Sequence, residues 1–101
     1  MGLFSKLFGP ATDYKQLLKE GAVIVDVRTP AEFAGGHIKG SVNIPLDSLG
    51  ANLNKLPNKD KVVITCCASG MRSAAGKGIL KSNGYTAFNG GGYAGLERKI
   101  A

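Results

Sequence analysis

The clearest structural signal in this chain is the segment Lys61-Val62-Val63-Ile64-Thr65-Cys66, followed directly by Cys67-Ala68-Ser69-Gly70-Met71-Arg72-Ser73. Its first part is an almost continuous apolar and β-branched run, which is typical of a strand buried on both faces of a parallel sheet. A short loop follows, and a helix is predicted from about Arg72 to Ser82, where Asn83-Gly84 ends it. The segment therefore predicts a strand, a loop and a helix in succession, with Cys66 as the last strand residue.

The rest of the chain repeats this alternation. A second long buried strand is predicted from Ala22 to Val27. Shorter elements complete the pattern: a helix capped by Thr12 or Asp13 and running to about Lys19, a helix begun by Thr29, Pro30 and Glu32, strands at Ser41 to Ile44 and Tyr85 to Phe88, a broken helix marked by Leu46, Leu49, Leu53 and Leu56, and a C-terminal helix. This order predicts an α/β fold with a mainly parallel sheet. Ligands of such sheets bind at the carboxyl ends of the strands, where Cys67 is predicted to lie.

Composition limits the classes of protein to which the chain can belong. Its 101 residues suffice for one domain. We assign residues 1–10 to an N-terminal tail or short helix and residues 11–101 to the domain. The net charge of +6 is scattered along the sequence, which argues against a nucleic-acid partner and favours small anionic ligands. The apolar stretches are too short for a membrane span or a secretory signal, so we expect a cytoplasmic protein with no membrane partner.

The two cysteines of the chain, Cys66 and Cys67, are neighbours. Neighbouring cysteines cannot join distant parts of a chain, which excludes a disulfide scaffold, and with only His37 to help them they are too few for a zinc site. We therefore predict no metal and a local thiol chemistry. Loop amides, the helix N-terminus and Arg72 would each favour the thiolate of Cys67, and Gly70 gives the loop the freedom to curl around it.

Two blocks of the sequence resemble the signature of the rhodanese family. The first consists of Val25-Asp26-Val27-Arg28, Glu32-Phe33, Gly36-His37-Ile38 and Gly40-Ser41-Val42-Asn43-Ile44-Pro45, and the second is Cys67-Ala68-Ser69-Gly70-Met71-Arg72-Ser73. Their order and spacing match over roughly residues 13 to 96. The resemblance implies an α/β fold whose central, mainly parallel sheet is flanked by helices on both faces. It also implies transfer of sulfane sulfur from an anionic donor such as thiosulfate to a thiol or cyanide acceptor, with no cofactor.

The resemblance also assigns roles to individual residues. Cys67 matches the nucleophile that forms the persulfide, and Ala68, Ser69, Gly70, Met71, Arg72 and Ser73 match the loop that binds the substrate sulfur. Asp26, Arg28 and Glu32 match positions that we expect to support the fold and brace the site without touching sulfur. One departure is that Gly91-Gly92-Tyr93-Ala94-Gly95 leads to Leu96 where the family often has Trp, which leaves the pocket wall and the acceptor preference open.

Three alternatives remain open at this point. Five residues separate Cys66 from Arg72, which is the spacing of cysteine-dependent phosphatases, whereas four separate Cys67 from Arg72. We favour Cys67, because Cys66 is predicted to end the strand and to be a packing residue, and because no Asp is placed as a general acid. The second alternative is a module of the same fold that binds or regulates without turnover. The third is a persulfide relay that docks on one protein acceptor.

Three further residues are predicted to serve the structure. Gly76 and Gly78 are predicted to let their helix approach the sheet, at a cost of ~1 kcal/mol each in helix propensity. His37 lies in a predicted turn and is expected to have a structural role.

Overall fold

The computed structural model describes residues 12–101. The tail or short helix predicted for residues 1–10 lies outside the described residues. The described part forms α1 (Tyr14–Lys19), β1 (Val23–Asp26), α2 (Pro30–Ala34), β2 (Val42–Asn43), β3 (Val62–Cys67), α3 (Met71–Ser82), β4 (Thr86–Gly92) and α4 (Tyr93–Ile100), with two 3₁₀ helices at Leu46–Ser48 and Leu53–Lys55. In this part of the chain, no helix combines the length and the apolar character needed to cross a membrane.

The four strands form one parallel sheet in the order β2-β1-β3-β4. This confirms the predicted α/β class with a parallel sheet. The two long buried strands are neighbours at its centre, where Val23 pairs with Val63 and Asp26 pairs with Cys66. Because parallel strands all end at the same edge, the carboxyl ends of β1, β3 and β4 lie side by side there.

Helices cover both faces of the sheet, as predicted. On one face, α3 and the 3₁₀ helices pack around Val63 and Leu80. On the other face, α1 and α4 pack around Ile64 and Leu96. Consecutive residues of β3 therefore alternate between the two layers, which is the period of two that a strand imposes.

The helix starts agree with the sequence patterns. The Asp13 side chain, and not that of Thr12, caps α1 by accepting a hydrogen bond from the Gln16 N–H. Thr29 and Glu32 form the expected reciprocal capping box at the start of α2. The predicted broken helix is present as the two 3₁₀ helices.

Several strand ends differ from the predictions, and those of β3 and β4 bear on the site. β3 continues through Cys67, which pairs with Gly92 after a register shift between Thr65 and Cys67, so the prediction that Cys66 ends the strand is wrong by one residue. β4 extends to Gly92 instead of ending at Phe88. Glycines have low strand propensity, and only their long-range pairing with β3 keeps this run extended.

The two glycines of α3 have different roles. A Cβ atom at Gly76 would lie 3.3 Å from Val27 Cγ1, so Gly76 does let α3 approach the sheet closely. A Cβ at Gly78 would meet no atom of residues 12–101 within 4 Å, so the prediction that Gly78 lets the helix approach the sheet is wrong.

Candidate active site

Cys66 and Cys67 point to opposite faces of the sheet. Cys67 packs in the layer that contains α3, whereas Cys66 packs in the layer of α1 and α4. Both residues are fully buried, and both thiols are free. The loop that follows β3 can therefore surround the sulfur of Cys67 but not that of Cys66.

The backbone after Cys67 curls around its sulfur. The Gly70 N–H donates to Cys67 Sγ at 2.9 Å and the Ser73 N–H donates at 3.3 Å. Gly70 has a φ of +104°, a left-handed conformation that favours glycine, and α3 begins at the next residue. The first turn of α3 thus directs amides that lack helical partners toward the sulfur.

These contacts give the two thiols opposite acidities. Burial raises the pKa of the Cys67 thiol, but hydrogen bonds from the Ser73 hydroxyl and from the amides of Ser73, Gly70 and Ser69 outweigh it, and the net pKa is lowered. Burial raises the pKa of Cys66 to about 12, and the negative charge of Asp26 acts in the same direction. Cys67 is therefore the thiol of this pair that ionises readily.

Most side chains of the predicted binding loop point away from the sulfur. Ala68 and Ser69 are exposed, and Met71 is 82% exposed. Ser73 is the exception, because it is fully buried with Oγ 3.4 Å from Cys67 Sγ. The loop thus surrounds the sulfur with its backbone and one hydroxyl.

Arg72 is paired with a carboxylate and does not contact the sulfur directly. Its guanidinium donates from Nη1 and Nη2 to the two carboxylate oxygens of Glu32, at 2.7 and 2.9 Å. The side-chain hydrogen bond from Arg72 is the largest cause that lowers the pKa of Glu32 to about 2. Glu32 Oε1 also accepts from the Thr29 N–H at 2.9 Å, so the pair joins α2 to the start of α3.

Asp26 and Arg28 form a buried ion pair behind the site. Arg28 Nη2 lies 2.7 Å from Asp26 Oδ2, and it also donates to the Gly36 carbonyl at 2.7 Å. The guanidinium stacks 3.9 Å above the ring of Tyr93. This ion pair therefore connects β1, the turn after α2 and the start of α4, without a contact to the Cys67 sulfur.

Three residues of β4, namely Asn89, Gly91 and Gly92, also contact the loop, and the sequence pattern predicted none of them as site residues. The Asn89 side chain hydrogen-bonds to Ser73 Oγ at 2.6 Å and to the Gly70 carbonyl at 3.2 Å. A Cβ atom at Gly92 would lie 2.8 Å from the Ala68 carbonyl oxygen, and one at Gly70 would lie 3.5 Å from the Gly91 Cα. The available signal was an Asn followed directly by three glycines.

A cavity of about 280 Å³ opens beside the loop. It is lined by Val27, Thr29, Pro45, Leu46, Asp47 and Arg72. Leu96, which replaces the expected Trp, is not part of this wall, since it is buried in the layer of α1 and α4. The departure from the family pattern at Leu96 therefore affects the core on the Cys66 side of the sheet.

His37 lies apart from the cysteines. Its Nδ1 is 2.8 Å from the Phe33 carbonyl oxygen, and its ring stacks on the Phe33 ring at 3.7 Å. Within residues 12–101, no group of three or more His, Cys, Asp or Glu side chains has a metal-binding arrangement.

Known proteins share this sequence pattern and fold. A family model described as the rhodanese-like domain matches residues 10–99. The uncharacterized protein YqhL of Bacillus subtilis is 43% identical over 65 residues, which cover 64% of this chain and 51% of that protein. The thiosulfate sulfurtransferase PspE of Escherichia coli is 35% identical over 63 residues, which cover 61% of each chain. The crystal structure of a rhodanese-like domain protein from Staphylococcus aureus aligns with a TM-score of 0.68 and 35% identity, over 94% of this chain and 83% of that one.

The chain spans only part of these curated relatives. The aligned region covers 51% of the B. subtilis protein and 61% of the E. coli protein. The similarity therefore concerns the domain that contains the cysteine loop.

Proposed function

The chain belongs to the rhodanese-like family, and we propose that it is a sulfurtransferase that carries sulfane sulfur as a persulfide on Cys67. The observation that carries this proposal is the arrangement at Cys67 Sγ, which accepts hydrogen bonds from two backbone amides of a helix start. Such an arrangement stabilises a thiolate, and a thiolate is the nucleophile that sulfur transfer needs. Cys66 has no comparable environment, which removes the support for a phosphatase that uses Cys66.

The reaction has two steps. In the first, the Cys67 thiolate attacks the outer sulfur of thiosulfate, an S–S bond forms to Cys67, and the S–S bond of the donor breaks so that sulfite leaves with the electron pair. In the second, cyanide or a thiolate attacks the outer sulfur of the persulfide, and the Cys67 thiolate is released. No net oxidation or proton transfer is needed with cyanide, since thiosulfate and cyanide give sulfite and thiocyanate.

Loop amides and Arg72 are proposed to hold the anionic groups in this cycle. Amides directed at a sulfur anion stabilise charge in a site from which water is largely excluded. Arg72 lies on the cavity wall, where its guanidinium would help to bind the dianionic donor, although the pairing with Glu32 offsets part of its charge.

A protein acceptor is the second candidate, and one observation favours it. Met71, 82% exposed, lies within the loop and is the one large apolar side chain that is exposed in residues 12–101. One side chain is not an apolar patch, but its position on the cysteine loop would suit contact with a protein that carries the acceptor thiol. In a relay of this kind the persulfide forms normally, while turnover with free cyanide is slow.

The decisive experiment is the intact mass of the protein after incubation with thiosulfate. We expect an increase of about 32 Da, one sulfur atom, that cyanide removes. Cys67→Ser should lose the adduct, whereas the matched variant Cys66→Ala should keep it. An unmodified Cys67 after incubation with thiosulfate and with other persulfide donors would refute the proposal. Cys66-dependent hydrolysis of p-nitrophenyl phosphate would support the phosphatase alternative instead.

A further inference from the structure

Asn89 in β4 has hydrogen-bond partners at both the oxygen and the nitrogen of its side-chain amide. Oδ1 accepts from Ser73 Oγ at 2.6 Å and from the Gly91 N–H at 2.9 Å, while Nδ2 donates to the Gly70 carbonyl at 3.2 Å. The orientation of the amide follows from these partners, because a backbone N–H can only donate and a carbonyl can only accept. The Ser73 hydroxyl therefore faces an acceptor atom, Oδ1, and donates a hydrogen bond to it at 2.6 Å.

The hydroxyl of Ser73 has one proton and more than one acceptor within reach. Its Oγ lies 2.6 Å from Asn89 Oδ1, 3.1 Å from the Gly70 carbonyl oxygen and 3.4 Å from Cys67 Sγ. Ser73 is fully buried, so water cannot replace a lost partner. When Cys67 is a neutral thiol, its S–H donates to Ser73 Oγ, and the Ser73 hydroxyl donates to Asn89 Oδ1.

A thiolate reverses this preference. Hydrogen bonds to a charged acceptor are roughly twice as strong as those between neutral groups, so a negative Sγ attracts the hydroxyl proton. When the Ser73 hydroxyl turns toward Sγ, Asn89 Oδ1 still accepts a hydrogen bond from the Gly91 N–H. The cost of losing one of its two hydrogen bonds is therefore small. In the persulfide the negative charge lies on the outer sulfur, so the Ser73 hydroxyl again donates its hydrogen bond to Asn89 Oδ1.

We propose that Asn89 is a positioning residue for Cys67, whose amide holds the Ser73 hydroxyl as a two-way switch between Asn89 Oδ1 and Cys67 Sγ. This proposal rests on the sulfurtransferase function proposed above and names a residue that regulates its nucleophile. Asn89 competes with the sulfur for one proton, so it limits how strongly the resting thiolate is stabilised. A less stabilised thiolate is the better nucleophile, because nucleophilicity falls as thiol pKa falls.

The charged groups near Cys67 should not mask the effect of Asn89 on the pKa of Cys67, because each is paired or stays neutral during the titration. Arg72 at the start of α3 interacts with Cys67, but it is paired with Glu32. Cys66 in β3 has a pKa of about 12 and stays neutral when Cys67 titrates. Asp26 and Arg28 of β1 are paired with each other.

The test is a double-mutant cycle on the pKa of Cys67, measured from the ultraviolet absorbance of its thiolate against pH. Ser73→Ala should raise the pKa by about one unit, since a charge-assisted hydrogen bond is lost. Asn89→Ala should lower it by about half a unit, because the thiolate then competes for the hydroxyl only with the neutral Gly70 carbonyl, 3.1 Å away. The double variant should match Ser73→Ala alone if Asn89 acts on Cys67 through the hydroxyl and not through its contacts with Gly70 and Gly91. Cys67→Ser supplies the blank.

Two results would overturn the proposal. One is a shift from Asn89→Ala that is the same with and without Ser73, which would indicate a purely structural role. The other is a rise of the pKa in Asn89→Ala. If that variant does not fold, Asn89→Asp has nearly the same shape and keeps both acceptor contacts. It should raise the pKa more in the presence of Ser73 than in Ser73→Ala, and equal shifts would again refute the switch.

The titration uses the resting protein without donor or acceptor. It can therefore succeed even if thiosulfate leaves no adduct, and it can fail while sulfur transfer is intact. The two proposals are thus tested separately.

Discussion

Replacing Gly92 by alanine should impair the cysteine loop by direct steric contact. The backbone of Gly92 has φ −67° and ψ 138°, which any residue adopts, so the substitution introduces no backbone strain. Its new Cβ would lie 2.8 Å from the Ala68 carbonyl oxygen, where ordinary contacts begin near 3.4 Å. The loop must therefore retreat by about 0.5 Å. Overpacking of this kind costs about 1–3 kcal/mol of unfolding free energy.

The same displacement sets the expected loss of activity. A misplacement of about 1 Å costs on the order of 100-fold in rate, so half of that distance predicts roughly a tenfold fall in kcat/KM. The assay is thiocyanate formation from thiosulfate and cyanide, accompanied by urea unfolding and the pKa of Cys67. That pKa should rise, because the Gly70 N–H moves away from Sγ.

Gly78→Ala is the matched control. Gly78 lies in α3, and a Cβ there meets nothing within 4 Å. This variant should gain about 0.5–1 kcal/mol of unfolding free energy from helix propensity and keep its activity. If Gly92→Ala leaves both kcat/KM and the Cys67 pKa unchanged, the reasoning that the end of β4 shapes the loop is refuted.

Three other perturbations test different parts of the site. Glu32→Gln should lower the pKa of Cys67, because the charge of Arg72 is no longer compensated; the rate of alkylation by iodoacetamide against pH measures this, and an unchanged profile would contradict it. The pKa of Cys66 is about 12 in the folded protein, against an ordinary value of 9.0. Its contribution to the free energy of unfolding should therefore be full below pH 9.0 and fall as the pH rises toward 12. Urea unfolding curves at several pH values should show this fall, and Cys66→Ala should remove it. Cys67 has the opposite sign: its lowered pKa stabilises the fold above the ordinary value, and this contribution is lost as the pH falls through the folded value. Gly76→Ala should lower the Tm despite its better helix propensity, because its Cβ would lie 3.3 Å from Cγ1 of Val27, the residue after β1; an unchanged or higher Tm would show that the Val27 side chain yields easily.

Local signals were sufficient to predict much of this fold. The capping box at Thr29 and Glu32 depends only on residues a few positions apart, and it is present as predicted. The continuous apolar runs of β1 and β3 identified the two central strands, since a strand buried on both faces needs apolar residues at every position. The α/β class follows from this alternation of elements.

Features that depend on contacts between residues far apart in the chain could not be predicted from the sequence. The pairing of Cys67 with Gly92 joins residues 25 positions apart, and it extends both strands beyond their propensities. Asn89 was missed for the same reason, because its partners Ser73 and Gly70 belong to another element. The pairing of Arg72 with Glu32 also connects two elements, so the sequence predicted the charge of Arg72 but not its compensation.

The placement of the two cysteines on opposite faces has a consequence for oxidative damage. Peroxide can convert a reactive thiolate to a sulfenic acid, and a nearby second thiol normally rescues it by forming a disulfide. Cys66 is the other cysteine of this chain, yet it is separated from the Cys67 sulfur by the sheet itself. A ring between them would require β3 to leave the sheet. Cys66 is therefore not placed to resolve an oxidised Cys67, and repair would need a thiol that residues 12–101 do not contain.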